Sequence, residues 1–337
     1  MPKKKEEIEE EIKEVQNTVD MEIKDLPGIG PVRTKKLEDA GITSVVSLSC
    51  FSPVDLADKT GLTREECGEM TMKARELTHS NKLFNPITAA DVKKIRSEER
   101  WQAETGCKGL TELTRGGYTS QTITEVYGLN GSGKSQICFT AAAIQANKEG
   151  LIIWVDTENT FSTDRLEQIS IVRDLDSEKV LNNVIHLRAF DAFHQVRIME
   201  ELGSYMDEQK KEGTEIKMII IDSITMNFRA EYEGRGTLSP RQQLLNRHLK
   251  LISRYAESYN IPVIMTNQVL SNAEGTFGDP IRAVGGNIMG HRATYRIYLR
   301  KGSKTKRVAL MDDSPEHPRN EIVYYLTEEG VSDSEKK

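Results

Sequence analysis

The stretch Gly128-Leu129-Asn130-Gly131-Ser132-Gly133-Lys134-Ser135 constrains this chain more than any other. It fits the pattern Gly, four residues, Gly-Lys-Ser/Thr. Ile123-Thr124-Glu125-Val126-Tyr127 before it reads as a strand, and Ser135 to Ala146 after it reads as a helix. Glycines let the backbone curl so that successive N–H groups converge on phosphate oxygens, and the helix N-terminus adds partial positive charge there. Lys134 then reaches the β and γ phosphates, and the Ser135 hydroxyl is a ligand for Mg²⁺. The competing account is a glycine-rich turn with a surface lysine; the strand and helix on either side favour a nucleotide site.

A chain of 337 residues has room for two or three domains. Apolar residues make up 37% and charged residues 29%, as in soluble globular proteins. No apolar run approaches a membrane span, and Met1 to Asp20 is too charged for a signal peptide. Cytoplasmic localisation, with association to nucleoid DNA, is the expectation. Cys50, Cys67, Cys107 and Cys138 lack metal-ligand spacing and read as free thiols. Net charge is −6, so any nucleic-acid contact must come from local basic segments.

The order of the chain suggests five parts. Residues 1–20 read as a charged flexible arm, with Ile8, Ile12 and Val15 at helical spacing. Residues 21–80 read as a small all-α domain. Its Leu26-Pro27-Gly28-Ile29-Gly30-Pro31 looks like a helix-hairpin-helix turn, in which Gly28 and Gly30 would offer backbone N–H groups to a nucleic-acid phosphate. A weaker second copy starts at Thr60-Gly61-Leu62. A helix pair that only packs is the alternative. Residues 81–105 read as a linker, residues 106–330 as the core, and residues 331–337 as an acidic tail.

Within the core, the runs at 151–155, 216–221 and 261–265 are rich in Ile and Val and do not alternate. Strands buried on both faces read this way, so an α/β, doubly wound, mostly parallel sheet is expected. Ligands of such sheets sit at the carboxyl ends of strands. One strand ends in Asp156-Thr157-Glu158, another in Asp222-Ser223 and a third in Thr266-Asn267-Gln268. Asp222 can hold a Mg²⁺ shell opposite Ser135. Glu158 can orient and polarise a water beside the γ-phosphate, and Gln268 can sense that phosphate. Met226 to Arg241 and Leu270 to Asn287 read as two flexible segments. Arginines, aromatics and glycines suit them to a phosphate backbone; a lid or plain surface loops are the alternatives.

In these stretches the chain resembles the archaeal RadA recombinases, of the RecA superfamily of strand-exchange proteins. The resemblance covers about residues 21 to 330. It rests on the phosphate loop, Asp156-Thr157-Glu158 with Phe161, Phe228-Arg229-Ala230-Glu231-Tyr232, Gly234-Arg235-Gly236-Thr237-Leu238 and Arg241-Gln242-Gln243. Thr266-Asn267-Gln268-Val269, Phe277-Gly278-Asp279-Pro280, Gly285-Gly286 and Asp313-Ser314-Pro315 extend it.

The resemblance implies a RecA-like core behind a helix-hairpin-helix domain. It implies head-to-tail protomers in a helical filament on single-stranded DNA, with rings as another assembly, and ATP between protomers. It implies pairing with homologous duplex DNA, strand exchange and DNA-stimulated ATP hydrolysis. ATP and Mg²⁺ are the implied cofactors, with K⁺ a further candidate ion, and recombination mediators are candidate partners. By carry-over, Glu158, Lys134 and Gln268 are catalytic, and Gly128 to Gln136 hold the nucleotide with Arg165 near the base. Asp313 and Pro315 would cap the neighbour's ATP, and Ser135 and Asp222 would hold the metal. Arg229, Tyr232, Arg235 and Arg241 fall in the first DNA segment, and Phe277, Gly285 and Gly286 in the second. Ile87 and Ala90 fall where the family offers a Phe and an Ala to the next protomer's sheet edge, with Phe84 as an alternative anchor.

Some positions depart from the family. Leu129-Asn130 replaces Glu-Phe, Ser135 stands where Thr is common, Asn159 follows Glu158 in place of Gly, and Asn287 replaces His. Ala273 stands where a bulkier wedge is frequent. Two rival readings are a mediator paralogue without efficient exchange and a ring helicase or signalling ATPase.

Overall fold

The computed structural model describes residues 21–78, 86–148, 150–232, 235–271, 281–285 and 287–335. The chain divides into two compact units, Met1–Glu99 with Glu200–Gly213, and Arg100–Met199 with Thr214–Lys337.

In the first unit, helices α1 (Pro31–Asp39), α2 (Val45–Cys50), α3 (Pro53–Thr60) and α4 (Arg64–Thr78) enclose a small core of Leu37, Leu48, Phe51, Leu56, Cys67 and Met70. Their starts are chemically encoded. Ser44 and Ser52 accept backbone amides three residues on, and Thr63 and Glu66 exchange hydrogen bonds as a capping box before α4. Helix α5 (Ala89–Glu99) begins with a second such exchange, between Thr88 and Asp91, and buries no side chain among the described residues.

The second unit is built on a nine-stranded sheet. Its strands in chain order are β1 (Ile123–Gly128), β2 (Leu151–Asp156), β3 (Val184–Arg188), β4 (Ile216–Asp222), β5 (Val263–Asn267), β6 (Tyr295–Lys301), β7 (Lys306–Asp313), β8 (Glu321–Thr327) and β9 (Gly330–Ser332). They lie in the order β9-β8-β7-β6-β1-β5-β4-β2-β3. The six strands from β6 to β3 pair parallel, and β7, β8 and β9 extend the sheet antiparallel. Strands β1 and β2 are buried along their whole length, β2 as its unalternating Ile and Val predict. Helix α6 (Lys134–Asn147) packs its Ala141-Ala142-Ala143 run into the core beside Trp154, Ile152 and Ile220. All four cysteines are buried free thiols.

Two ends of the core differ from the sequence reading. Residues 100–105 pack with the second unit rather than serving as linker. Gln102-Ala103 pairs with Tyr118-Thr119, and the Trp101 indole donates to the Asn260 carbonyl at 2.8 Å. Residues 331 and 332 belong to the core rather than to an acidic tail, while residues 333–335 are exposed. Val331 is buried in β9, and the Asp333 carboxylate accepts the amides of Lys108 and Gly109 at 2.8 and 2.9 Å. A short acidic run reads as solvent-facing until a helix N-terminus is brought to it.

Candidate functional site

The phosphate loop joins β1 to α6. Gly131 and Gly133 take φ of 73° and 102°, a region that disfavours side chains, and Gly133 caps α6. At Gly128 the constraint is space: an added Cβ would come within 2.4 Å of the Leu299 carbonyl oxygen on β6. Leu129 and Asn130 form the exposed crest, so replacing the family's usual pair leaves the packing unchanged. From the antiparallel strands, Arg307 donates to the Gly131 carbonyl at 3.1 Å and the Tyr324 hydroxyl to Ser132 at 3.3 Å. Both residues brace the loop, and sequence reading missed them, since they lie far along the chain with no motif of their own.

The loop fits a bound phosphate. The Lys134 ammonium donates to the carbonyls of Gly128 and Leu129 at 3.0 and 3.3 Å. Burial lowers its pKa, while the charges of Asp222 and Glu158 act in the opposite sense. The Ser132 hydroxyl is buried and lacks a partner among the described residues. Oxyanions would satisfy both groups.

Asp222, at the end of β4, faces α6. The hydroxyls of Thr266 and Ser135 donate to it. Burial pushes its carboxyl up, and a divalent cation at this point would favour the charged form. Among the described residues there is no cluster of three or more His, Cys, Asp or Glu able to hold a metal alone. Ser135 and Asp222 offer two oxygen donors, a donor type that fits Mg²⁺.

Glu158 stands two residues beyond β2. Its Oε1 accepts the Ser223 hydroxyl at 2.8 Å and the Gln268 amide at 3.1 Å. The loop carrying it is held from below. Asp156 accepts the backbone amides of Glu158, Thr160 and Phe161 at 3.1, 3.3 and 3.3 Å, and is itself flanked by His186 and Arg188. Phe161 then packs against Trp154 and Phe139. Asn159 adopts φ of 57°. Asparagine tolerates this left-handed conformation better than other side chains, so the chain keeps the backbone course that glycine would give. Asp156 marked a strand end in the sequence; its bracing role needed the folded loop to become visible.

Arg165 and Gln136 meet at 2.8 Å beside the β8–β9 turn, where Arg165 also donates to the carbonyls of Thr327 and Glu328. Asp313 and Pro315 are not part of this cluster. Asp313 is opposite Arg296 at the end of β7 away from Arg307, so within one chain they stand apart from the phosphate loop.

The first predicted DNA segment is more helical than its glycines suggest. Met226–Glu231 forms helix α7 and Leu238–Ser258 forms helix α8; residues 233 and 234 lie outside the described residues. Arg241 is therefore helical, Tyr232 ends α7, and Arg235 opens a single 3-10 turn. Asn227 is the reason: buried, it ties α7 to the carbonyls of Ala189 and Asp191 and to Gln195. Arg229 is half-buried and donates to Gln268 at 3.3 Å. In the second segment Val269–Ser271 pairs with Ile281–Ala283. Phe277, Gly286 and Ala273 lie outside the described residues, as does Phe84. Gly285 takes φ of 93° against Met289.

In the first unit, Gly28 takes φ of 83° with Lys73 close by, whereas Gly30 is extended with open space around it. Arg33 is paired with Glu66 at 2.9 Å. Ile87 and Ala90 are both exposed, but Ala90 is already in the first turn of α5, so an added strand would have to end by Thr88.

Comparison with known proteins follows the same line. The chain is 42% identical over 327 residues to "DNA repair and recombination protein RadA" of Cenarchaeum symbiosum, covering 95% of this chain and 81% of that protein. It is 37% identical over 320 residues to the RadA protein of Aeropyrum pernix, covering 93% of this chain and 97% of that one. The family description "Rad51" matches residues 96–334, which contain every element of the phosphate-loop site. With a phosphate loop, a strand-end carboxylate pair and a glutamine on one parallel sheet, and with that match, the chain belongs to the Rad51 family.

Proposed function

We propose that this chain is a DNA-stimulated ATPase that assembles as a helical filament on single-stranded DNA. It pairs that strand with a homologous duplex and exchanges strands in recombinational repair. One observation carries the reading: Glu158, Gln268 and Ser223 form a hydrogen-bonded cluster beside the phosphate loop, at the roots of both predicted DNA segments.

Lys134 and the loop amides from Gly128 to Ser135 hold phosphates, and Arg165 with Gln136 walls the base. Ser135 and Asp222 hold Mg²⁺, which when bound neutralises phosphate charge. Glu158 accepts a proton from, and aims, the attacking water; Ser223 fixes which carboxylate oxygen remains free for it. Gln268 stands where the γ-phosphate would end.

Assembly would use the sheet edge. Strand β3 is an outer strand, flanked by the exposed Phe190 and Phe193, and α5 leaves Ile87 and Ala90 unburied. An edge strand on one side and an unpacked segment on the other form a heterologous, non-closing contact, which generates a helix. Asp313 and Pro315, apart from their own phosphate loop, would cap the ATP of a neighbour. DNA would meet Arg229, Tyr232, Arg235 and Arg241, then Phe277, Gly285 and Gly286, with Gly28 and Gly30 as an accessory phosphate contact. Among the described residues no helix is long and apolar enough to cross a membrane.

The test is ATP hydrolysis with and without single-stranded DNA, followed by strand exchange in the same mixture, with Lys134→Ala as control. DNA-stimulated turnover with exchange, both lost in the control, supports the reading. Stimulated turnover without exchange transfers it to a mediator role, and unstimulated turnover removes the DNA segments.

A further inference from the structure

Arg229 touches no acidic side chain in the described contacts of the site. Its guanidinium reaches from α7 to the side-chain oxygen of Gln268 at 3.3 Å. The nitrogen of the same amide donates to Glu158 Oε1 at 3.1 Å. Chemistry sets this orientation: a cation must face the amide oxygen and a carboxylate must face the NH₂, and the flipped amide would oppose both. The ends of the link are fixed. Asn227 anchors α7, Thr225 donates to Asn267 at 2.7 Å, and Ser223 donates to Glu158. One rigid amide therefore lies between a cation on a predicted DNA segment and the carboxylate proposed to aim water.

We infer that Arg229 is a positioning residue for Glu158, acting through Gln268, and that nucleic-acid phosphate competes with Gln268 for it. This rests on the ATPase reading above. While Arg229 holds the amide oxygen, Gln268 keeps its NH₂ on Glu158, and the carboxylate carries two donors on one oxygen. That grip limits its rotation. A phosphodiester gives the guanidinium a charge-assisted, bidentate partner, stronger than a neutral amide oxygen. Drawing Arg229 away loosens Gln268, and Glu158 becomes free to engage water. The same amide is then available to a terminal phosphate. The two polyanions, nucleotide and polynucleotide, thus act on opposite ends of one side chain.

The experiment measures steady-state ATP hydrolysis without DNA and with poly(dT), for the wild type, Arg229→Met, Arg229→Lys, Gln268→Ala and the Arg229→Met/Gln268→Ala double variant. Poly(dT) affinity is read across a salt series. In Arg229→Met, DNA-free kcat should rise at least about fivefold with KM unchanged, and stimulation by poly(dT) should shrink accordingly. Arg229→Lys, which can still donate to Gln268, should retain most of the stimulation. The double variant should match Gln268→Ala alone, because both changes cut the same link. The inference is overturned if Arg229→Met leaves DNA-free kcat unchanged while weakening poly(dT) binding and lowering the salt slope by about one, the mark of a plain phosphate contact. If Arg229→Met fails to fold, equal stimulation in Gln268→Ala and wild type overturns it instead. A wild type that does not hydrolyse ATP would remove the ATPase reading itself, a distinct result.

Discussion

The side-chain amide of Asn267 donates to the buried carboxylate of Glu125 at 2.7 Å, and its nitrogen also donates to the Val284 carbonyl at 2.7 Å. Glu125 in turn accepts Arg296 Nε at 2.6 Å. Strand β1 before the phosphate loop is thereby connected to the end of the second predicted DNA segment. Glu125→Ala should destabilise the second unit by about 3–5 kcal/mol, because it leaves Arg296 partly buried without its counter-charge. Chemical denaturation checks this; a loss below about 1 kcal/mol would mean that water or Asp312 replaces the carboxylate.

Asp156 holds three backbone amides of the loop that carries Glu158. Asp156→Asn keeps the size but removes the charge and one acceptor oxygen. Nucleotide affinity should change less than about twofold, while kcat falls about ten- to a hundredfold, since a small displacement of an aiming group has effects of that order. Equal losses in affinity and kcat would place Asp156 in the binding surface instead.

Asn159 sits at φ of 57°. Asn159→Gly should leave stability within about 0.5 kcal/mol of wild type and kcat unchanged, since both residues reach this conformation. Asn159→Val should lose about 1–2 kcal/mol and lower kcat, because a β-branched residue resists it. Thermal unfolding and turnover of the pair report on backbone strain beside the candidate acid.

Ile87 is 45% exposed and belongs to neither the Trp154 nor the Leu37 hydrophobic cluster. Ile87→Glu with Ala90→Glu should therefore leave each unit folded while converting assemblies to monomers on light scattering, with nucleotide binding intact. Filaments that persist in the double variant would locate the interface elsewhere.

His248 is fully buried against Phe228 and Gln195, and burial pushes its pKa down from 6.5 to about 3. It is neutral in the fold, whereas the unfolded chain protonates near 6.5. Stability from this group is complete above that pH and is lost as pH falls toward the folded value. The loss should run at about 1.4 kcal/mol per pH unit below pH 6. Denaturant midpoints between pH 7 and 5, compared with those of His248→Gln, isolate the contribution; equal slopes would assign it to another group.

Much of the core was readable in the chain. The phosphate loop, the unalternating Ile and Val runs and the strand-end acids Glu158 and Asp222 are local patterns whose physics acts within a few residues. Asn267 and Arg296 illustrate the opposite case. Nothing near either residue in the chain marks a partner for Glu125, because the contact exists only once β5 and β6 flank β1. The stretch after Met226 misled for a related reason: its glycines signal a loop, yet Asn227 finds the carbonyls of Ala189 and Asp191 and anchors a helix.

Periodicity and turn chemistry are short-range, so the order of strands and helices and the placing of a phosphate loop between β1 and α6 follow from the chain read in line. Hydrogen bonds between distant segments depend on which strands become neighbours. The bracing of the loop by Arg307 and Tyr324, the fastening of Glu158 by Asp156 and Ser223, and the contact of Arg229 with Gln268 arise from that neighbourhood alone.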